Sequence, residues 1–131
     1  MVWLGQPEAG IPLLEKAIRL NPHDPTLASH YAMLGLCHLL LDHVDQAIDL
    51  LRKARAENPR TYYIHLLLAG ALGLKGDLDD ARTALAEAIK LKPEMNSLKQ
   101  LRASSFGNSD FGALREKTYY VGLRRAGMPE E

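Results

Sequence analysis

The chain is poor in the residues that usually carry chemistry or cross-linking. Cysteine occurs once, tryptophan once and phenylalanine twice in 131 residues. A single cysteine cannot close an internal disulfide. Cys37 has Leu36, Leu39 and Leu40 around it, the surroundings of a small buried hydrophobe, and a reducing cytoplasm fits this usage. Charge of one sign is also lacking, since sixteen basic residues face sixteen acidic ones. Binding that rests on phosphate neutralisation therefore has no source, and nucleic acid is excluded as the expected partner. No apolar run reaches the roughly 18 residues that would suggest a membrane helix. The N-terminus lacks the basic segment and long apolar stretch of an export signal, so no membrane partner is expected. Strand signals are missing as well.

What remains is a composition of 47% hydrophobic and 24% charged residues, that of a folded globular domain. The length suits one domain with a single core.

The sequence repeats itself. A shift of 34 residues aligns Leu34 with Leu68, Leu40 with Leu74, Asp45 with Asp79, Ala47 with Ala81, Leu51 with Leu85, Ala54 with Ala88 and Pro59 with Pro93. Small residues where two helices must approach and a proline where the second must stop are what a stacked two-helix unit requires. A third copy lies upstream at a shift of 37, pairing Ile11 with Ile48, Leu14 with Leu51, Ala17 with Ala54 and Pro22 with Pro59. It is cut short, because Met1 to Gly5 supply only the tail of a first helix, and the natural chain is expected to extend further N-terminal.

Helices are expected near 8–20, 25–41, 44–57, 61–75, 78–91, 95–103 and 110–126. Asp24 followed by Pro25 reads as a cap and first helical residue, and Asp77 as the cap of the fifth helix, with Asp79 and Asp80 in its first turn. The last helix should stop at Gly127, before Pro129. The domain then divides into a partial repeat (1–24), two full units (25–61 and 62–95) and capping helices (96–131) that seal one end of the stack.

Tyr31, Leu34, Gly35, His38, Ala47, Leu51, Ala54 and Pro59, and in the next unit Leu68, Ala69, Gly76, Ala81, Leu85, Ala88 and Pro93, resemble the tetratricopeptide signature. Tyr31 stands in its tryptophan position, and His65 replaces the leading aromatic of the second unit. The resemblance implies an all-α antiparallel helix-pair solenoid of about seven helices, a right-handed superhelix. It also implies binding of a protein or peptide segment in the concave face lined by each first helix. Carried over position by position, that groove falls on Ser29, Ala32, Leu36, Leu39 and Leu40, and on Tyr63, Leu66, Gly70, Gly73 and Leu74. Family members that clamp a C-terminal carboxylate use Lys, Arg and Asn there, and this groove has none.

The first helices of both full units are apolar on nearly every side, and a helix hydrophobic all round is normally buried all round. Three occupants could cover the groove: the chain's own C-terminal helix, a second copy, or a partner segment.

The remaining chemistry reads as structural. His30, His38 and His65 lack the spacing of convergent zinc ligands, and Cys37 points about 100° around the helix from His38. Asp77, Asp79 and Asp80 lack the calcium-loop pattern, and Gly70, Gly73 and Gly76 follow no strand, so helix capping and close packing explain them better. Arg115, Lys117, Arg124 and Arg125 are offset by Glu116, Glu130 and Glu131 and read as a solvated rim. No metal, cofactor or catalytic set is expected. The stretch from Tyr119 to Pro129 resembles the tail that follows the repeats in bacterial class III adenylate or guanylate cyclases. That resemblance implies a regulatory segment of a larger enzyme whose catalytic domain lies elsewhere, while a similar tail in arrays joined to DNA-binding regulators leaves the parent open.

Overall fold

The computed structural model describes residues 7–23, 25–104 and 117–131. Within them the chain forms helices α1 (Pro7–Leu20), α2 (Leu27–Leu40), α3 (Val44–Glu57), α4 (Tyr62–Lys75), α5 (Leu78–Leu91), α6 (Leu98–Ser104) and α7 (Tyr119–Ala126), and no strands. Helices α1 to α5 stack in order, each packing on the next, as a helical-repeat solenoid.

The two kinds of helix follow from their patterns. α3 and α5 are amphipathic, burying Ala47, Ile48, Leu51 and Ala54 in one case and Ala81, Ala84, Leu85 and Ala88 in the other, with charge on the opposite side. α4 is buried without a break from Ile64 to Gly73, because α3, α5 and α7 all pack on it. The pairing of α2 with α3 depends on Gly35, where a Cβ would stand 2.8 Å from Leu51 Cγ. Ala69 holds the corresponding place in α4 and is fully buried. A smaller cluster of Leu14, Leu34 and Cys37, flanked by Ile11, Ile18 and Leu50, joins α1 to the stack.

The repeat also governs the helix ends. α4 stops at Gly76, whose φ of +92° lets Asp77 N–H reach the Leu72 carbonyl at 3.0 Å. The same place in the preceding unit is Asp42, the one described non-glycine residue with positive φ (64°), and there His43 N–H reaches the His38 carbonyl at 2.8 Å. α7 ends likewise at Gly127, with φ +109°.

Several expected boundaries move. α2 begins at Leu27 rather than at Pro25, which lies in a turn, because Thr26 supplies the carbonyl that accepts the first helical bond, from His30. Asp24 lies outside the described residues. Asp77 does occupy the cap of α5, but its side chain makes no capping hydrogen bond, so its contribution with Asp79 and Asp80 is charge at the positive helix end. α6 starts at Leu98, where Ser97 Oγ accepts from Gln100 N–H at 3.2 Å. The expected last helix is interrupted at Thr118, which leaves the helical region (φ −122°, ψ −77°) between helical Lys117 and the start of α7 at Tyr119, and the part expected over 110–116 lies outside the described residues.

Candidate interaction site

The groove positions inferred from the repeat fall on one side of α2 and α4 but differ in access. Ser29 is exposed and Tyr63 and Leu74 are half-buried, whereas Ala32, Leu36, Leu39, Leu40, Leu66, Gly70 and Gly73 are buried. Ser29 and Tyr63 stand 34 residues apart, at equivalent places in successive units. Their Oγ and Oη atoms share a 3.1 Å hydrogen bond, a rung joining the two first helices.

Gly70 and Gly73 are buried because α7 lies on them. α7 packs chiefly against α4 and to a smaller extent against α5. A Cβ built on Gly70 would come 2.6 Å from Tyr119 Cδ1, and one on Gly73 would overlap the backbone of Gly122. In return, a Cβ on Gly122 would overlap the carbonyl group of Gly70. Two helix backbones thus meet with no side chain between them, which only glycine permits. Leu123, Ala126, Tyr119 and Tyr120 are buried around this crossing. Arg125 Nη1 donates to the Leu74 carbonyl at 3.5 Å, beside the groove's far end.

The tail after α7 folds back onto α6. The carbonyls of Pro129 and Glu130 accept from Leu98 N–H and Lys99 N–H, each at 2.9 Å, and so satisfy two amides that an α-helix start leaves unpaired. Met128 is buried, and Arg124 Nη2 pairs with Glu130 at 2.6 Å. Part of the expected basic rim is therefore engaged within this arm.

Tyr119 and Gly122 were not among the groove residues read from the sequence. Their signal was a small residue three places after an aromatic on a helix, which acquires meaning only when a facing pair of glycines is known.

The titratable side chains have structural settings. His65 is buried and donates from Nε2 to the Pro59 carbonyl at 2.7 Å, tying α4 to the turn before it. His38 is half-buried, and its Nδ1 lies 3.1 Å from His43 Nδ1, so one ring must donate while the other accepts. Burial, reinforced by His43 and opposed by Glu15, pushes the His38 pKa below its ordinary value. Burial pushes the Cys37 thiol up to about 12, which removes thiolate reactivity near neutral pH. Among the described residues no group of three or more His, Cys, Asp or Glu side chains converges on a possible metal position. No helix among them is long and apolar enough to cross a membrane.

Stacked antiparallel pairs with a buried small-residue seam define a helical-repeat protein. Residues 33–96 match the family model described as tetratricopeptide repeat, and this match supports assigning the repeat body to that family. The chain is 33% identical over 95 residues to the bovine (Bos taurus) BBSome complex member BBS4, a match covering 72% of this chain and 18% of that protein. The present sequence thus spans under a fifth of this relative. Among solved structures, the crystal structure of MamA superimposes with a TM-score of 0.64 over 93% of this chain and 67% of that one, at 24% identity, a likeness of fold alone. The structure described as MamA MSR-1 C2 gives a TM-score of 0.58 and 26% identity over 94% of this chain and 63% of its own.

Proposed function

We propose that this chain is a protein-interaction module of tetratricopeptide type whose partner surface is the side of α2 and α4 running from Ser29 to Leu40 and from Tyr63 to Leu74. Its own C-terminal helix occupies the α4 half of that surface until a partner takes it. The observation that carries the reading is the seat of α7 on Gly70 and Gly73, two groove positions already filled by a helix that interrupts the regular stacking order. A face that accepts one helix in this way has the shape and the apolar character to accept another. The function is binding rather than catalysis, the setting is cytoplasmic, and the module works as part of a larger assembly.

The test uses the exposed rung. A partner that binds the groove is retained by the unaltered chain and lost from one carrying Ser29→Arg with Tyr63→Ala, while the two keep the same helical circular dichroism. Equal retention by both moves the partner surface off this face.

A second reading makes the chain the regulatory C-terminal segment of a nucleotide cyclase. It rests on the resemblance of residues 119–129, and it requires a full-length gene that encodes a cyclase domain. Sequencing the parent gene tests it, and a parent without such a domain removes it.

A further inference from the structure

We propose that the edge formed by α1 and the α1-facing stripe of α2 is an open stacking surface. It seats one further helix with the sequence pattern of α2, supplied by the parent polypeptide directly ahead of α1. The groove over α4 takes no part in it.

The repeat supplies a control for each position on this edge. Ile64, Leu67 and Ala71 form one stripe of α4, apart from the side on which Gly70 and Gly73 meet α7, and all three are buried. α4 has α2 and α3 of the preceding unit against it, and the bond between Ser29 and Tyr63 sets α2 beside its first turn. The counterparts of that stripe 34 residues earlier are His30, Met33 and Cys37. Cys37 is buried in the cluster with Leu14 of α1, but His30 is only half-buried, and Met33 is 36% exposed where Leu67 is 5%. α1 shows the same deficit. Leu13 is 56% exposed, against a half-buried Leu50 and a 3% exposed Ala84 at the equivalent places. Ala17 is half-buried where Ala54 and Ala88 are buried. Leu20 marks the limit of the surface, because its counterparts Glu57 and Leu91 are exposed as it is.

These comparisons also fix the chemistry of the occupant. In the first full unit Gly35 receives Leu51, and in the next Ala69 and Leu85 hold the same places, both buried. Leu14 is the counterpart of Leu51, so the occupant carries glycine or alanine facing Leu14, with leucine one place before it as at Leu34 and Leu68. His30 adds a polar requirement. Its Nδ1 is a buried atom with no hydrogen-bond partner among the described residues, and a hydroxyl in the occupant's first turn, where α2 has Ser29, would supply one. Connectivity fixes the source. Residues 41–43 join α2 to α3 and residues 76–77 join α4 to α5, and such short turns set each first helix antiparallel to the next. A helix seated on the edge in the same way ends beside the start of α1, so the polypeptide leading into α1 reaches it directly. A folded second copy cannot supply it, because its own helices of this pattern, α2 and α4, are buried within its stack.

The test places a second copy of residues 27–43, carrying Cys37→Ala, directly ahead of Pro7 in the otherwise full chain, in place of residues 1–6. Two cysteine reporters at their native positions, Met33→Cys and Leu20→Cys, are followed one at a time with a water-soluble maleimide. The native Cys37 is buried with its pKa pushed up to about 12 and gives no background. Met33→Cys should react about tenfold or more slowly once the added helix is present, as expected of a site exposed only when a seated helix opens locally. Leu20→Cys should keep its rate. Slowing at both reporters or at neither overturns the proposal, and so does an extended chain that is dimeric in light scattering, which puts the helix in trans. Should the extended chain aggregate, the same reporters are read in the parent protein. Slowing there at Met33→Cys alone, relative to the present chain, supports the proposal, and unchanged rates overturn it. A native gene product that begins at Met1 has no such helix to seat and overturns it as well.

Discussion

The repeat body, α2 to α5, and the C-terminal arm, α6 with α7, bury their helices by different means. In the body, helices approach through side chains of graded size: Gly35 receives Leu51, Ala47 and Ala81 are fully buried, and Ala54 and Ala88 stand at matching places 34 residues apart. Even irregular backbone repeats, since Asn58 and Lys92 end α3 and α5 with φ near −147° and −144°. The arm has no such counterpart. α7 reaches α4 by backbone on backbone, through three glycines. Side-chain packing of the first kind tolerates adjustment and can be propagated from unit to unit, whereas a glycine crossing is an all-or-none seat. The body thus carries a seam that recurs from unit to unit, and the arm a single glycine crossing onto α4 that has no counterpart in the body.

Four substitutions or conditions can break or sharpen that contrast. Leu51→Ala removes a fully buried side chain from the seam of α2 and α3 and should cost about 2–5 kcal/mol of global stability, measured by urea unfolding. Gly122→Val should cost less, about 1–3 kcal/mol, and should act locally. Hydrogen exchange of the α7 and α4 amides should accelerate while α2 and α3 keep their protection, and a uniform loss of protection would erase the distinction between body and arm. Asp42→Gly places glycine where the next unit already has Gly76 and should stabilise the chain by roughly 0.5–1 kcal/mol, seen as a raised unfolding midpoint. The smallest effect is that of acid on the turn between α2 and α3. Because the folded-state pKa of His38 is lowered, first by burial and then by His43, the unfolded chain takes up the proton more readily. Its contribution is present above the ordinary histidine value of about 6.5 and is lost as pH falls through the lower folded value. A small drop in melting temperature from pH 7.5 to 5, abolished by His38→Leu, is the expected result.

Much of the body was legible in the sequence, because side-chain size at a fixed interval is itself the packing instruction. Ala47, Leu51, Ala54 and Pro59 mark the second helix of a unit, and their counterparts 34 residues on mark the next. Boundaries were less legible where the backbone decides. Asp24 and Pro25 have the composition of a helix start, yet the first helical bond is accepted by Thr26. Asp77 has the right position, but its side chain makes no capping bond. For the groove, the all-round apolar pattern of α4 revealed that something covers it, and Gly70 and Gly73 were among the positions named. What covers them could not be chosen from three possibilities, because the partner signal, Gly122 with Tyr119, lies about fifty residues away and has no periodicity linking it to α4.

The central claim, that α7 shields the α4 face from other helices, is tested most directly by light scattering coupled to size exclusion. The samples are the unaltered chain and a Gly73→Val chain at the same concentration. The account predicts a single-chain mass for the first and association of the second, whose apolar face α7 can no longer cover. An unaltered chain that is already a dimer, or a Gly73→Val chain that stays monomeric with its α7 amides protected, would contradict it.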